Sequence, residues 1–203
     1  MLATEFVNLL KTRRTVRQFR QEIIPQSVIL ECIETARLAP SARNLQPLEY
    51  FLVTEPRLCQ QIFPLLRWAA YIAPQGNPRD DQRPTGYLVV LVRRDLQQSL
   101  WANDVGAAVE NFLLSAWGCG IGTAWLASVQ REELRRLLRI PESHVIDSVV
   151  AFGYPAETPV VEENDAEIRY FKDASGRLHV PKRSLKSILH VNCWHTDEEH
   201  HVS

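Results

Sequence analysis

Residues 100–117 read LWANDVGAAVENFLLSAW, followed by GCGIG at 118–122 and TAWLA at 123–127. This run decides the fold. Val105, Ala108, Val109, Phe112, Leu113 and Ala116 recur three and four apart, the spacing of one face of a long helix. The stripe is broad enough to ask for burial on most sides. The glycines come after that helix, and their sixth position is Thr123. A dinucleotide-binding turn needs G-x-G-x-x-G after a strand and before a helix, so a Rossmann half is excluded. The glycines instead end a helix and return the chain into a short strand over Thr123–Ala127. They also let the backbone approach a flat ligand closely.

Upstream, Tyr87–Arg93 is a nearly unbroken apolar run of β-branched character, hence a buried strand. Tyr50–Thr54 reads as another strand, and Pro56 opens a helix through Leu66. Pro25 and Ser27 open a helix whose apolar set is Val28, Ile29, Cys32, Ile33 and Ala36, closed by Pro40. Thr4 is expected to cap a first helix with Phe6, Leu9 and Leu10 on one face. Residues 73–86 are rich in Pro, Gly, Arg and Asp and read as a surface loop or lid. Downstream, Gln130–Arg139 is an amphipathic helix ended by Pro141, and Val145–Gly153 is a core strand. After Pro155 order weakens. A short helix is expected over Ser184–His190, and a frayed tail over 196–203. Helices and strands alternate unevenly, which favours α+β over a regular parallel repeat. Residues 1–195 are expected to form a single domain.

The chain has 203 residues, of which 45% are hydrophobic, and it balances 23 Lys and Arg against 24 Asp and Glu. That supports a core without metal or disulfide staples and creates no demand for a nucleic-acid or membrane-surface partner. The apolar run Tyr87–Val92 is too short to span a bilayer, and the first residues lack the pattern of a secretory signal. Cys32, Cys59, Cys119 and Cys193 show no C-x-x-C spacing, so a reducing, cytoplasmic setting is expected.

Four clusters could carry chemistry. Arg13, Arg14, Thr15 and Arg17 place three guanidiniums and a hydroxyl within five residues, a set suited to a phosphate or carboxylate. The same arginines could simply solvate a helix end. The loop Ala39–Pro47 offers Ser41, Arg43, Asn44 and Gln46, as ligand contacts or as turn formers. The glycine turn at 118–122 is the third. Lys182 and Arg183 are the fourth, able to meet a phosphate or a ring carbonyl, or to be surface charge. His190, His195, His200 and His201 with Cys193 match no standard metal spacing, so no metal is expected. No nucleophile elbow or Ser/His/Asp set is evident.

In this order the clusters resemble the nitroreductase family of FMN-dependent oxidoreductases. The matching stretches are RRTVRQF at 13–19, APSARNLQP at 39–47, GAAVENFLLSA at 106–116 and GIGTAW at 120–125. IPE at 140–142, FGYP at 152–155 and PKR at 181–183 complete the pattern. The likeness covers roughly residues 5 to 194. It implies an α+β sheet flanked by helices and an intimate homodimer with each FMN between two subunits. Arg13, Arg14, Thr15 and Arg17 would then hold the FMN phosphate and ribityl chain. Pro40, Ser41, Ala42 and Asn44 would contact the isoalloxazine from the partner chain. Thr123, Ala124, Trp125, Leu126 and Ala127 would run along the flavin edge, and Lys182 or Arg183 would return to the phosphate. Trp68 and Tyr71 would line the substrate pocket, although both also read as core aromatics.

The implied reaction passes hydride from NAD(P)H through FMN to an electron-poor acceptor such as a nitroaromatic or quinone, in ping-pong order. The flavin-destructase and reductive-dehalogenase branches of the superfamily are alternatives, as is a non-catalytic flavin-binding protein. Against the dehalogenase branch, no Glu between Glu49 and Gly86 is followed four residues on by Tyr, and that stretch has no Lys. The choice between NADH and NADPH, and the acceptor, stay open at this point.

Overall fold

One strand, β5 (His144–Pro155), engages both of its edges. The computed structural model describes residues 2–96 and 99–194. Its contacts group into two compact units, one ending at Thr158 and the other beginning at Pro159, a boundary at which the sequence reading drew none.

In the first unit, β5 pairs along one edge with β3 (Gly86–Arg93), and β3 pairs in turn with β2 (Leu48–Val53). Along the other edge lie β4 (Gly122–Leu126), opposite residues 149–153, and β1 (Phe19–Arg20), opposite 154–155. Every pairing in this sheet is antiparallel, so the architecture is α+β, as the uneven alternation implied.

Helices α2 (Gln26–Arg37) and α4 (Trp101–Gly118) cover one face. Leu88, Val90, Val92, Val150 and Phe152 pack there against Ile29, Cys32, Val105, Val109 and Phe112. Tyr87, Val89 and Leu91 point the other way and are buried too. A strand buried on both faces needs no polar alternation, which is why β3 reads as an unbroken apolar run. The whole expected stripe of α4 is buried, and Asp104 is buried with it.

Helix α1 (Ala3–Thr12) starts earlier than expected. Leu2, not Thr4, is its N-cap, and the Glu5 carboxylate accepts the Leu2 N–H at 2.8 Å. Its apolar face stays open: Phe6 is 46% exposed and Leu10 38%. Helix α3 (Pro56–Ile62) is capped by Glu55, whose carboxylate accepts the Arg57 and Leu58 N–H groups, and a 3₁₀ turn at Phe63–Leu65 replaces its expected last turn. Helix α5 (Arg131–Leu138) is fastened to the start of β5 by the buried Arg135, which donates to the carbonyls of Ile140, Pro141 and His144.

The second unit holds three strands where the sequence suggested only weakening order. Central β8 (Leu178–Lys182) pairs in parallel with β6 (Val160–Glu163) and antiparallel with β7 (Phe171–Lys172). The helix expected over Ser184–His190 is instead a pair of turns, closed by Ser187 N–H to the Ser184 carbonyl and Ile188 N–H to that of Leu185. The tail expected to fray, 196–203, lies outside the described residues.

His179 ties these strands together. Its Nδ1 meets Glu162, its Nε2 meets Asp173 at 3.0 Å, and its ring stacks on Phe171 at 4.8 Å. The hydrogen bond with Asp173, then that with Glu162, raises the imidazole pKa above its ordinary value. The charged form is therefore the one the fold favours. Its contribution should be fully present below the unfolded pKa, about 6.5, and be lost as pH rises through the raised folded value. An NMR titration of the His179 ring should give a midpoint above that reference; a midpoint at or below it would contradict the bridge.

Candidate functional site

The first and third clusters come together. Thr15 bridges Thr123 in parallel, and the Val16 N–H donates to the Thr123 carbonyl at 2.9 Å. The arginine segment is thereby laid along β4. Two glycines make this possible. Gly120 turns the chain out of α4 at φ +74°, in the left-handed region. At Gly122 a Cβ would stand 2.9 Å from Val16, so only glycine admits so close a strand.

Arg13 and Arg14 sit side by side. Arg13 reaches Glu110 of α4 at 3.6 Å. Arg14 donates to the Arg13 carbonyl. Burial, and then the neighbouring Arg13 charge, lower the Arg14 pKa from its ordinary value. Two like charges held together in a half-buried position would be relieved by an anion. The Arg17 and Gln18 amides both donate to the Glu157 carboxylate, which closes the far side of this segment. Beyond Thr123 and Ala124, both buried, Trp125 is 41% exposed and donates to the Ser148 hydroxyl at 2.7 Å. Ser148 in turn donates to Asp147.

The loop Pro40–Asn44 and the arginine segment both hang from α4. Asp104 accepts the Ala42 N–H at 2.8 Å, while Glu110 faces Arg13. Six residues along a helix make about 9 Å of rise and leave the two positions about a third of a turn apart. The two segments thus face different directions from one rod.

Trp68 is buried, stacked on Phe63 at 5.6 Å. Arg67 N–H donates to the Ser128 carbonyl and Gln130 N–H to that of Leu65, so Trp68 adjoins the end of the β4 segment. Tyr71 is 61% exposed. Lys182 and Arg183 belong to the second unit. There the Lys182 carbonyl accepts the Asn164 N–H, and Arg183 donates to the Ser187 carbonyl at 2.6 Å.

The nitroreductase family model matches residues 10–154, a span that takes in the arginine segment, the 40–44 loop, α4 and β4. The chain belongs to the nitroreductase family. A protein of Archaeoglobus fulgidus with the provisional name NADH dehydrogenase/NAD(P)H nitroreductase is 32% identical, over 79% of this chain and 91% of its own. An iodotyrosine deiodinase of Haliscomenobacter hydrossis is 24% identical, over 79% and 84%. A nitroreductase-type protein of Desulfovibrio desulfuricans, solved in complex with FMN, superposes with a TM-score of 0.69 at 18% identity, over 93% of this chain and 97% of that one. That likeness shows the nitroreductase fold.

Sequence reasoning missed three residues that shape the site of this family member. Glu157 is one. Gln18 is another: buried, it donates to the Asn77 carbonyl and accepts the Arg79 N–H, pinning the 73–86 loop to the arginine segment. Asp104 is the third, and its signal was a charge standing in line with an apolar stripe. A cavity of about 540 Å³ lies elsewhere, lined by Ile24, Cys59, Arg83, Thr85 and Phe152 among others. None of the expected site residues lines it, so it does not decide where the chemistry is. Replacing Gly122→Ala should force β4 and Val16 apart and destabilise the fold by about 1–3 kcal/mol. Urea unfolding measures this, and an unchanged midpoint would contradict the close approach.

Proposed function

We infer that the protein is a flavin-dependent oxidoreductase that binds FMN and passes electrons from NAD(P)H to an electron-poor acceptor such as a nitroaromatic or quinone. The observation that carries this reading is the Arg13–Arg14 pair, half-buried beside a glycine-tight strand at the sheet edge. The residues fit FMN: two adjacent cations for a terminal phosphate, and an edge strand for a planar ring. FMN, when bound, supplies two-electron chemistry, so the protein need contribute no nucleophile.

Arg13, Arg14, Thr15 and Arg17 hold the phosphate end in this reading. Thr123, Ala124, Trp125, Leu126 and Ala127 lie along the ring. Trp68 backs the acceptor side and Tyr71 stands at its mouth. Pro40, Ser41, Ala42 and Asn44 serve the flavin of a second copy, because α4 aims them away from the chain's own arginines. The open apolar face of α1, with Phe6 and Leu10, supports a homodimer. None of the four cysteines is in a disulfide, which supports a cytoplasmic setting; no described helix is long and apolar enough to cross a membrane.

Reductive dehalogenation is the second reading, supported by the similarity to an iodotyrosine deiodinase and opposed by the 49–86 stretch, which lacks the Glu-x-x-x-Tyr pattern and any Lys. Purified protein should be yellow and release FMN, not FAD, on denaturation. Anaerobic NADH or NADPH should bleach it, and nitroaromatic or quinone should restore the colour; turnover only with a halogenated tyrosine would favour the second reading. Colourless protein that binds no added FMN would end the flavin reading altogether.

Arg17→Ala should weaken FMN binding by about 1.5–3 kcal/mol, the scale of a hydrogen bond to a charged group. Fluorescence titration reads this directly, and unchanged affinity would make Arg17 a surface charge. Sedimentation at low micromolar concentration should show a dimer, and a compact monomer that retains its flavin would refute the shared site.

A further inference from the structure

We propose that Asp104 is the positioning residue that sets the shape of the 40–46 loop, and through it the flavin contact of a second copy; the latter half rests on the reading above. The loop is held in an unusual conformation. Arg43, Asn44 and Gln46 have φ of 56°, 55° and 49°. Asn enters the left-handed region more readily than most side chains, but Arg and Gln do not. Such backbone persists only where its surroundings over-determine it.

Within the loop the ties are local. Asn44 N–H donates to the Ser41 carbonyl at 2.9 Å, and Gln46 N–H to the Ser41 hydroxyl at 3.0 Å. These bonds fold the loop on itself but do not fasten it to the core. The bond from Ala42 N–H to Asp104 Oδ1 does, across 62 residues of sequence. Asp104 is 4% exposed and stands in the first turn of α4, where the helix dipole favours a carboxylate. Its other oxygen, Oδ2, is sealed from solvent with no hydrogen-bond partner among the described residues. A buried carboxylate left half satisfied is costly in a core. Its place in the apolar stripe of α4 is therefore explained by what Oδ1 holds rather than by packing. A small cavity of about 140 Å³, lined by Pro40, Ser41, Gln46, Tyr50, Asp104 and Ala108 among others, lies beside this contact.

The test uses the full chain as wild type and as Asp104→Ala, Asp104→Ser and Asp104→Asn. Asn keeps an acceptor oxygen in place; Ser stays polar but is too short to reach Ala42, and serves if the Ala variant fails to fold. Trypsin on the flavin-free protein reads the loop, because Arg43 is exposed and followed by Asn44. Mass spectrometry should show cleavage after Arg43 at least about tenfold faster in the Ala and Ser variants, with the other sites unchanged and Asp104→Asn near wild type. Fluorescence titration should show FMN binding weakened by about tenfold or more in the same two, with the flavin absorption band shifted even at saturation. Equal cleavage at Arg43 in all four proteins would overturn the proposal, as would a rise at every site together or an Asn variant as loose as Ala. Wild type that binds no FMN would refute the flavin reading and the flavin half of this inference, while the trypsin result still decides the positioning half.

Discussion

Strand β5 must satisfy hydrogen bonds on two edges, and the rest of the first unit follows from how it does so. Along one edge its residues 144–152 take the full length of β3. Along the other it takes β4 and then β1, end to end. The chain entering β1 comes straight from Arg13–Arg17, so that segment has to run beside the start of β4, and the bond from Val16 to Thr123 records the meeting. Buried backbone groups have to be paired. That requirement, more than any attraction between side chains, brings the arginines to the edge of the strand.

Much of this was legible because two elements are long and strongly patterned. The stripe of α4 and the apolar run of β3 each have one good reading, and both took it. Local capping was less legible. Thr4 is a good cap by type, yet Glu5 reaches back to the Leu2 amide and starts α1 earlier. The second unit was illegible for a different reason. Its strands are two to five residues long, and Pro181 lies in β8, where proline argues against a strand. Leu185, Ile188 and Leu189 have helical spacing, but so short a segment cannot repay helix nucleation and settles into turns.

For the site, the motif residues could be named from sequence while their supports could not. Glu157 and Gln18 act on partners some 60 to 140 residues away, and no local pattern encodes such a pairing. Asp104 is an intermediate case. It stands four residues before Ala108 and eight before Phe112, in line with the stripe, where a charge has no business unless something needs it. A polar residue interrupting an otherwise apolar helical face is a cue that sequence reading can use.

Helix α4 presents one tether to its own arginines and another, a third of a turn away, to the 40–46 loop. For a flavin shared between two copies, each binding site then draws its two halves from different polypeptides. Genetic complementation follows from that geometry. A dimer that joins a chain damaged only at Arg17 to a chain damaged only at Asp104 gathers both lesions into one site and leaves the other whole. Two parents that each bind flavin weakly would yield a hybrid with one site of full affinity, which is how a shared site announces itself without any image of the assembly.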